Sequence, residues 1–130
     1  MVITEIQTPK RLREMIASGK PLVVKFTAGW CPDCRELRPH FEGHANTLER
    51  AGATVARITL SNERKEVEGG VKKTVFLTPA HSKLRDEFAK HGFPTVVFFN
   101  EGRVFATSLE DSEASYRKLV DYFRSRLKKK

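Results

Sequence analysis

A short, nearly continuous apolar segment at residues 22–26 (LVVKF) constrains the fold of this chain more than any other feature. Segments this short and rich in β-branched residues favour strands over helices, and a strand without polar alternation must be covered on both faces. Parallel sheets flanked by helices provide that cover. Residues 95–99 (TVVFF) have the same character, so the sequence predicts an α/β fold with a central sheet.

Helical and strand patterns alternate along the rest of the chain. Thr8 and Pro9 supply a hydroxyl N-cap and a first-turn proline for a helix that Gly19 ends. A longer helix is predicted from Pro32 onward, bent where Pro39 removes a hydrogen bond. The remaining predicted elements are a strand at 54–60, a helix at 82–91, a hairpin of strands 95–99 and 103–107, and a helix from 111 or 112, in the order αβαβ and then αββα.

Residues 62–80 fit that alternation less well. Gly69 and Gly70 indicate a hairpin with a two-residue loop that pairs Glu66 with Lys73, but a helix followed by a loop fits the same residues equally. We interpret this segment as an insertion within one domain, because 130 residues is the usual size of a single domain.

Charge and hydropathy exclude several classes of function. Lysine and arginine number 24 against 16 acidic residues, and three of these cations form a basic tail at 128–130. The other cations are spread among acidic residues, so we do not expect a nucleic-acid-binding protein. No segment approaches the roughly 20 apolar residues of a membrane helix, and residues 1–6 are too short and acidic for a secretory signal. We expect a cytoplasmic monomer that does not contact membranes.

The only two cysteines, Cys31 and Cys34, lie where the first predicted strand gives way to a helix. A disulfide between them closes almost no loop and adds little stability, so chemistry is the better reason for the pair. Cys31 stands at the helix N-terminus, where unpaired backbone N–H groups and the helix dipole favour a thiolate. A thiolate is the nucleophile of disulfide exchange, and Cys34, one turn further on, is placed to resolve a mixed disulfide.

A Cys-X-X-Cys pair also supplies half of many zinc sites, and His40 and His44 follow it in this chain. In an unbroken helix these histidines point away from Cys34 and lie roughly 9 and 15 Å along the axis, whereas zinc needs every ligand within about 2.3 Å. We therefore expect no metal. We also expect no dissociable cofactor, because the dithiol itself holds the electrons.

The chain resembles the thioredoxin family in several separate motifs. Residues 23–35 (VVKFTAGWCPDCR), with Pro39 five positions past the second cysteine, are similar to the strand, loop and kinked helix that carry the thioredoxin dithiol. Residues 92–95 (GFPT), the strand that follows and the turn at 100–102 (NEG) are similar to the family's cis-proline loop and terminal hairpin. Each motif is weak alone, but together they span nearly the whole chain in the right order.

This resemblance implies a thioredoxin-like fold, a central mixed sheet flanked by helices, with an extended segment before the cis-proline helix. It implies a cis bond between Phe93 and Pro94 beside the dithiol. It also implies that Trp30, Pro32 and Phe93 line an apolar surface that binds substrate; core packing is the alternative for the two aromatic residues. Pro94 has no N–H group, which leaves neighbouring backbone groups to pair with an extended substrate strand.

Lys25 is the main departure from the family pattern, because thioredoxins usually carry a buried acidic residue six positions before the first cysteine. A cation there stabilises a nearby thiolate, or acts as a base if burial removes its proton. Alternatively, the amine reaches solvent or pairs with Asp33 and has no catalytic part. Asp33 itself opposes the thiolates, and Glu110 stands where the family has a glycine beside the substrate groove.

We predict a thiol–disulfide oxidoreductase that acts on protein disulfides through Cys31 and Cys34 and is recycled by a reductase such as thioredoxin reductase. The long 62–80 segment indicates a selected partner rather than a broad set. A glutaredoxin-like, glutathione-dependent reductase is one alternative, suggested by the proline after the first cysteine, although Trp30 and Pro39 argue against it. A basic adaptor that uses the cysteine pair only as a redox switch is the other.

Overall fold

The computed structural model describes residues 3–27, 32–60, 62–67, 71–76, 79–90, 95–108 and 113–127, of which 32–40, 62–67, 71–76, 79, 82 and 113 are described by their backbone alone. Strands and helices alternate through this part of the chain. Their bounds are β1 Ile3–Glu5, α1 Pro9–Ala17, β2 Leu22–Thr27, α2 Pro32–Arg50, β3 Thr54–Thr59, β4 Asn62–Val67, β5 Val71–Phe76, α3 Pro79–Phe88, β6 Thr95–Asn100, β7 Arg103–Ser108 and α4 Glu113–Leu127.

A five-stranded mixed sheet with the order β1-β3-β2-β6-β7 forms the centre of the fold. β1, β3 and β2 run parallel, while β6 pairs antiparallel with β2 and with β7. β2 is the middle strand, and its residues 22–26 are all buried, as the apolar run predicts. Because parallel strands run in the same direction, β2 and β3 end at the same edge of the sheet. Antiparallel β6 begins at that edge.

Helices cover the sheet on both faces, and each face has its own apolar core. α2 and α4 cover the face that carries Val23 and Val55, and their buried side chains there are Phe41, Ala45, Leu48, Tyr116, Val120, Phe123 and Leu127. α1 and α3 cover the face that carries Val24 and Ile58, through Leu12 and Leu84. The predicted central sheet flanked by helices is therefore confirmed.

The local signals at α1 act as the sequence predicts, and the bend predicted at Pro39 of α2 stays a prediction. The Thr8 Oγ1 atom accepts a hydrogen bond from the Arg11 backbone N–H at 3.1 Å, and Gly19 follows α1 with a φ of 76°. α2 continues through Pro39 as one helix of 19 residues. None of the described helices combines the length and apolar character needed to cross a membrane.

Two predicted elements need correction. The segment 62–76 does form a hairpin, β4 and β5, so its helical alternative is wrong, but three residues separate the strands and Glu66 pairs with Lys72 instead of Lys73. Loop length sets hairpin register, and one extra residue changes every cross-strand pair. α3 begins at Pro79 rather than Ser82 and ends at Phe88, because a proline suits the first helical position.

β1 is absent from the predicted order. It has only three residues, and it is stabilised by parallel pairing with β3, in which Ile3 faces Val55 and Glu5 faces Arg57. A three-residue strand has no periodicity to detect, and its partner lies about fifty residues further along the chain.

The turn between β6 and β7 holds one residue in a strained backbone conformation. Glu101 has a φ of 56°, a left-handed conformation that asparagine tolerates better than glutamate, and Gly102 follows with a φ of 78°. We expect Glu101→Asn to raise the free energy of unfolding by about 0.5–1 kcal/mol and Gly102→Ala to lower it by about 1 kcal/mol. Urea unfolding measures both changes. A loss of stability in Glu101→Asn would contradict a strained turn.

Candidate functional site

The C-terminal end of β2 leads directly into the predicted dithiol. β2 ends at Thr27 and α2 begins at Pro32, so residues 28–31 connect the central strand to the helix N-terminus. Trp30 and Cys31 lie in this connection, outside the described residues. Cys34 lies in the first turn of α2, where only the backbone is described.

The start of β6 lies at the same edge of the sheet. Thr95 pairs with Phe26, next to the last residue of β2. Phe93 and Pro94 immediately precede Thr95 and fall outside the described residues, so their predicted cis bond stays a prediction. The topology nevertheless brings the described neighbours of the dithiol and of the predicted proline loop together at one edge.

Position 34 falls on the sheet-facing side of α2. Seven residues, about two helical turns, separate it from Phe41, and eleven separate it from Ala45, so the three positions share one stripe of the helix. Phe41 and Ala45 are buried in the core between α2 and the sheet. Cys34, the predicted resolving cysteine, therefore occupies a position on the stripe of α2 that faces the sheet.

Lys25 is the predicted site residue whose side chain the structure describes. It is 2% exposed, and it stands on the α2 side of β2, since strand residues alternate and Val23 belongs to the core on that side. The Lys25 Nζ atom lies 5.6 Å from the centre of the Phe41 ring. The amine does not reach solvent, which removes one alternative raised by the sequence. Pairing with Asp33 falls outside the described side chains.

Sequence analysis missed Arg57, which is the neighbour of Lys25 on β3. The two residues are register partners in the parallel pairing of β2 with β3. Arg57 donates from Nε to the Glu5 Oε1 atom at 2.6 Å, and its Nη2 atom donates to the same oxygen. Glu42 of α2 places its Oε1 atom 4.0 Å from Arg57 Nη1. The available signal was a cation within an apolar strand, but only the register shows that it lies beside Lys25.

Lys25 and Arg57 thus lie side by side on neighbouring strands, and Glu5 and Glu42 both contact Arg57. Within the described part of the chain, no three side chains among histidine, cysteine, aspartate and glutamate are arranged to hold a metal ion. The side chains of both cysteines lie outside the described residues.

The contact between Lys25 and Phe41 predicts a measurable coupling. Lys25→Met keeps the length of the side chain and removes its charge, while Phe41→Leu removes the ring. We expect a double-mutant cycle on these two changes to give a coupling of about 1–2 kcal/mol in the free energy of unfolding, because a cation held over a ring away from water is stabilised by it. Phe123→Leu is the matched control, since Phe123 is equally buried in the same core and packs on Phe98. Equal coupling to both aromatic residues would contradict a specific contact.

Comparison with known proteins identifies the family of this chain. A family model described as a thioredoxin-like domain matches residues 8–124. Protein disulfide-isomerase erp38 of Neurospora crassa is 32% identical over 88 residues, which cover 66% of this chain and 19% of that protein. Mouse protein disulfide-isomerase A5 is 24% identical over 126 residues, which cover 96% of this chain and 21% of that protein.

Solved structures agree at the level of the fold. The crystal structure of a thioredoxin from Malassezia sympodialis superposes with a TM-score of 0.69 at 17% identity, covering 94% of this chain and 90% of that one. The chain spans about a fifth of the length of the curated relatives that it matches. The predicted thioredoxin-like fold is confirmed. Because the family model runs from the N-cap of α1 into the last turns of α4, the chain belongs to the family of thioredoxin-like domains.

Proposed function

We propose that this protein is a thiol–disulfide oxidoreductase that exchanges electrons with protein disulfides through Cys31 and Cys34. The observation that carries the proposal is the path of the chain from the buried strand β2 into the N-terminus of the 19-residue helix α2. That path assigns Cys31 to the residue before the helix and Cys34 to its first turn. Family membership and the relatives named as protein disulfide-isomerases support the same chemistry.

The reaction proceeds in two exchanges of sulfur bonds. The Cys31 thiolate, favoured by the N-terminus of α2, attacks one sulfur of the substrate disulfide, and the leaving thiolate takes a proton from water. Cys34 then attacks the Cys31 sulfur, so that an intramolecular disulfide forms and the second substrate thiolate departs. Two electrons pass from the protein dithiol to the substrate, and a reductase such as thioredoxin reductase returns them.

Substrate binding is assigned to Trp30, Pro32, Phe93 and Pro94, which the resemblance to thioredoxins places around the dithiol. The register of β6 supports this assignment, because Thr95, which follows Phe93 and Pro94 in the sequence, pairs with Phe26 near the end of β2. An extended substrate segment pairs with backbone groups beside Pro94. We further propose that the protein works as a cytoplasmic monomer.

Lys25 takes part in the second exchange. Its burial beneath α2, on the side of the helix where position 34 lies, supports an interaction with the resolving thiol rather than with solvent. A cation in this position favours the Cys34 thiolate over the thiol. The role that the family usually gives to a carboxylate is thus performed here by an amine.

Single cysteine substitutions test the assignment of the two thiols. We expect Cys31→Ser to lower the reduction of a protein disulfide to the rate of dithiothreitol alone, because the attacking thiolate is gone. Cys34→Ser is expected to accumulate the mixed disulfide, since the second exchange cannot occur. Turnover assays and mass spectrometry of the trapped adduct measure these outcomes. Equal rates for the wild-type protein and Cys31→Ser, that is, no cysteine-dependent turnover, would favour the adaptor hypothesis.

The recycling partner distinguishes a thioredoxin-like enzyme from a glutaredoxin-like enzyme. Glutathione with its reductase is supplied in one assay, and thioredoxin reductase in another, at equal NADPH. We expect oxidised protein to be reduced in the assay with thioredoxin reductase. Efficient recycling by glutathione alone would favour a glutaredoxin-like enzyme instead.

Substitution of Lys25 tests its part in the reaction. We expect Lys25→Met to slow the second exchange by about tenfold or more, because a positioned proton-transfer or charge partner contributes on that scale or above. Lys20→Met is the matched control, since Lys20 is exposed and precedes β2 at the opposite edge of the sheet. Unchanged thiol pKa values and unchanged exchange rates in Lys25→Met would leave Lys25 with a structural role only.

A further inference from the structure

We propose that the protein carries a docking surface for an acidic segment of a partner protein, at the edge of the sheet opposite the end of β2. The surface is formed by Arg103, Val104 and Phe105 of β7 and by Tyr122 and Arg126 of α4, and we call it the α4–β7 surface. Because none of these residues takes part in the proposed disulfide exchange, binding at this surface is a separate property of the protein.

The course of β6 places the α4–β7 surface far from the end of β2. β6 begins at Thr95, which pairs with Phe26, and it runs antiparallel to β2 as far as Asn100. These six residues of strand span about 17 Å. β7 starts from the edge that Asn100 reaches, and Arg126, in the last turn of α4, lines a cleft there together with Asn100. A partner bound in this cleft therefore leaves the opposite edge of the sheet uncovered.

Exposed apolar side chains adjoin one another at this surface. Among the described residues, Val104 and Tyr122 are the large hydrophobic side chains that stay exposed, each at 52%. The Tyr122 ring lies 5.2 Å from the Phe105 ring, measured between centres, and Phe105 lines the same cleft as Val104. Single exposed apolar residues are ordinary on protein surfaces, but a group of them beside one cleft is typical of an interaction site.

A β-bulge explains why Phe105 faces α4. Phe98 pairs with Ala106 and Phe99 pairs with Val104, so β7 has one extra residue between these two pairs. Phe105 and Ala106 both pack against the core that α4 covers, although neighbours in a regular strand face opposite sides of a sheet. A bulge also interrupts the hydrogen-bonding edge of a strand. We therefore expect side chains, and not an added strand, to hold the partner.

Two arginines give the surface a positive charge that its neighbours do not balance. Arg103 and Arg126 are exposed, and they line one cleft of about 420 Å³. Neither forms an ion pair with another described residue, whereas Arg124 is paired with Asp121 at 3.7 Å. Glu101 is the one carboxylate among the described residues that line this cleft, so a positive charge remains. Guanidinium groups donate paired hydrogen bonds to carboxylates, which makes an acidic partner complementary.

Charge and shape favour an acidic peptide segment over other occupants. A second copy of this chain would bring like charges together, because the chain has a net charge of +8 and the cleft is itself basic. An anionic membrane is flat, whereas these arginines line a cleft that also holds the carboxylate of Glu101. A segment in which carboxylates flank an apolar residue matches both the guanidiniums and the exposed apolar side chains.

Two synthetic peptides test the surface in the intact protein at low salt. The acidic peptide has the sequence EEFEE with blocked ends, and the neutral peptide has the sequence QQFQQ. We expect the acidic peptide to shift the amide NMR signals of residues 103–105 and 122–126 most strongly. Its dissociation constant is expected to be about five- to tenfold lower than that of the neutral peptide, because two exposed ion pairs contribute on that scale. Cys31→Ser is expected to bind the acidic peptide as tightly as the wild-type protein does.

Charge reversal distinguishes the two arginines from the net charge of the protein. We expect Arg103→Glu combined with Arg126→Glu to weaken binding of the acidic peptide by about tenfold or more, because attraction becomes repulsion. Arg117→Glu combined with Lys118→Glu is the matched control, since both residues are exposed on α4 and the net charge changes equally. This control is expected to change binding by less than about twofold. Tyr122→Gln is expected to weaken binding by about fivefold through lost apolar contact.

Several results would overturn the proposed surface. These are no binding of the acidic peptide at millimolar concentration, equal binding of the two peptides, or equal loss in the two charge-reversed proteins. Amide shifts centred on the start of α2 would assign the peptide to the opposite edge of the sheet. Tighter binding to vesicles of anionic phospholipid than to the peptide would assign the surface to a membrane. Dimers in sedimentation that the Arg103→Glu and Arg126→Glu changes dissociate would assign it to a second copy.

Two controls keep these outcomes apart from other causes. Urea unfolding of every variant confirms that it is folded, so that a loss of binding is not a loss of structure. Disulfide reduction by the wild-type protein is measured with and without saturating acidic peptide, and we expect equal rates because the peptide binds at the far edge of the sheet. A lower rate with the peptide would contradict that placement, whereas no turnover in either sample would contradict only the proposed function.

Discussion

Burial of β2 on both faces is the constraint on which the rest of the structure depends. A strand with no solvated face needs a neighbouring strand on each side and a helix layer on each face, and β3, β6 and the two helix pairs supply them. Each buried valine, leucine or phenylalanine contributes on the order of 2 kcal/mol, so this strand is among the most strongly held parts of the fold. The segment that follows β2, which carries the dithiol, is therefore attached to a rigid strand.

Lys25 is the exception within that strand. Removing an ammonium group from water costs several kcal/mol, and proteins retain such groups where partners or chemistry compensate. Here a ring lies over the amine, a guanidinium lies beside it, and two carboxylates lie beyond the guanidinium. Where thioredoxins usually place one buried acid, this chain distributes acidic and basic groups over β1, β2, β3 and α2.

Local signals predicted most of the fold. The Thr8 cap, the apolar run of β2 and the helical face of α4 each identify their element because the information lies within a few residues. The register of β4 with β5 was wrong by one residue, because it depends on the length of a loop and the strand sequences tolerate either pairing. The start of α3 was misplaced, since Pro79 and Ser82 both offer acceptable helix starts.

One continuous segment of sequence is enough to predict the dithiol, the strand and helix on either side of it, and the lysine where the family has an acid. The fold alone shows that Lys25 is buried, that Arg57 lies beside it, and that Glu5 and Glu42 contact Arg57. Those residues come from four separate elements, and their proximity follows from parallel strand register and from the packing of α2. Long-range pairing of this kind leaves no periodic trace in any one segment, which is why the charge cluster was invisible until the fold was known.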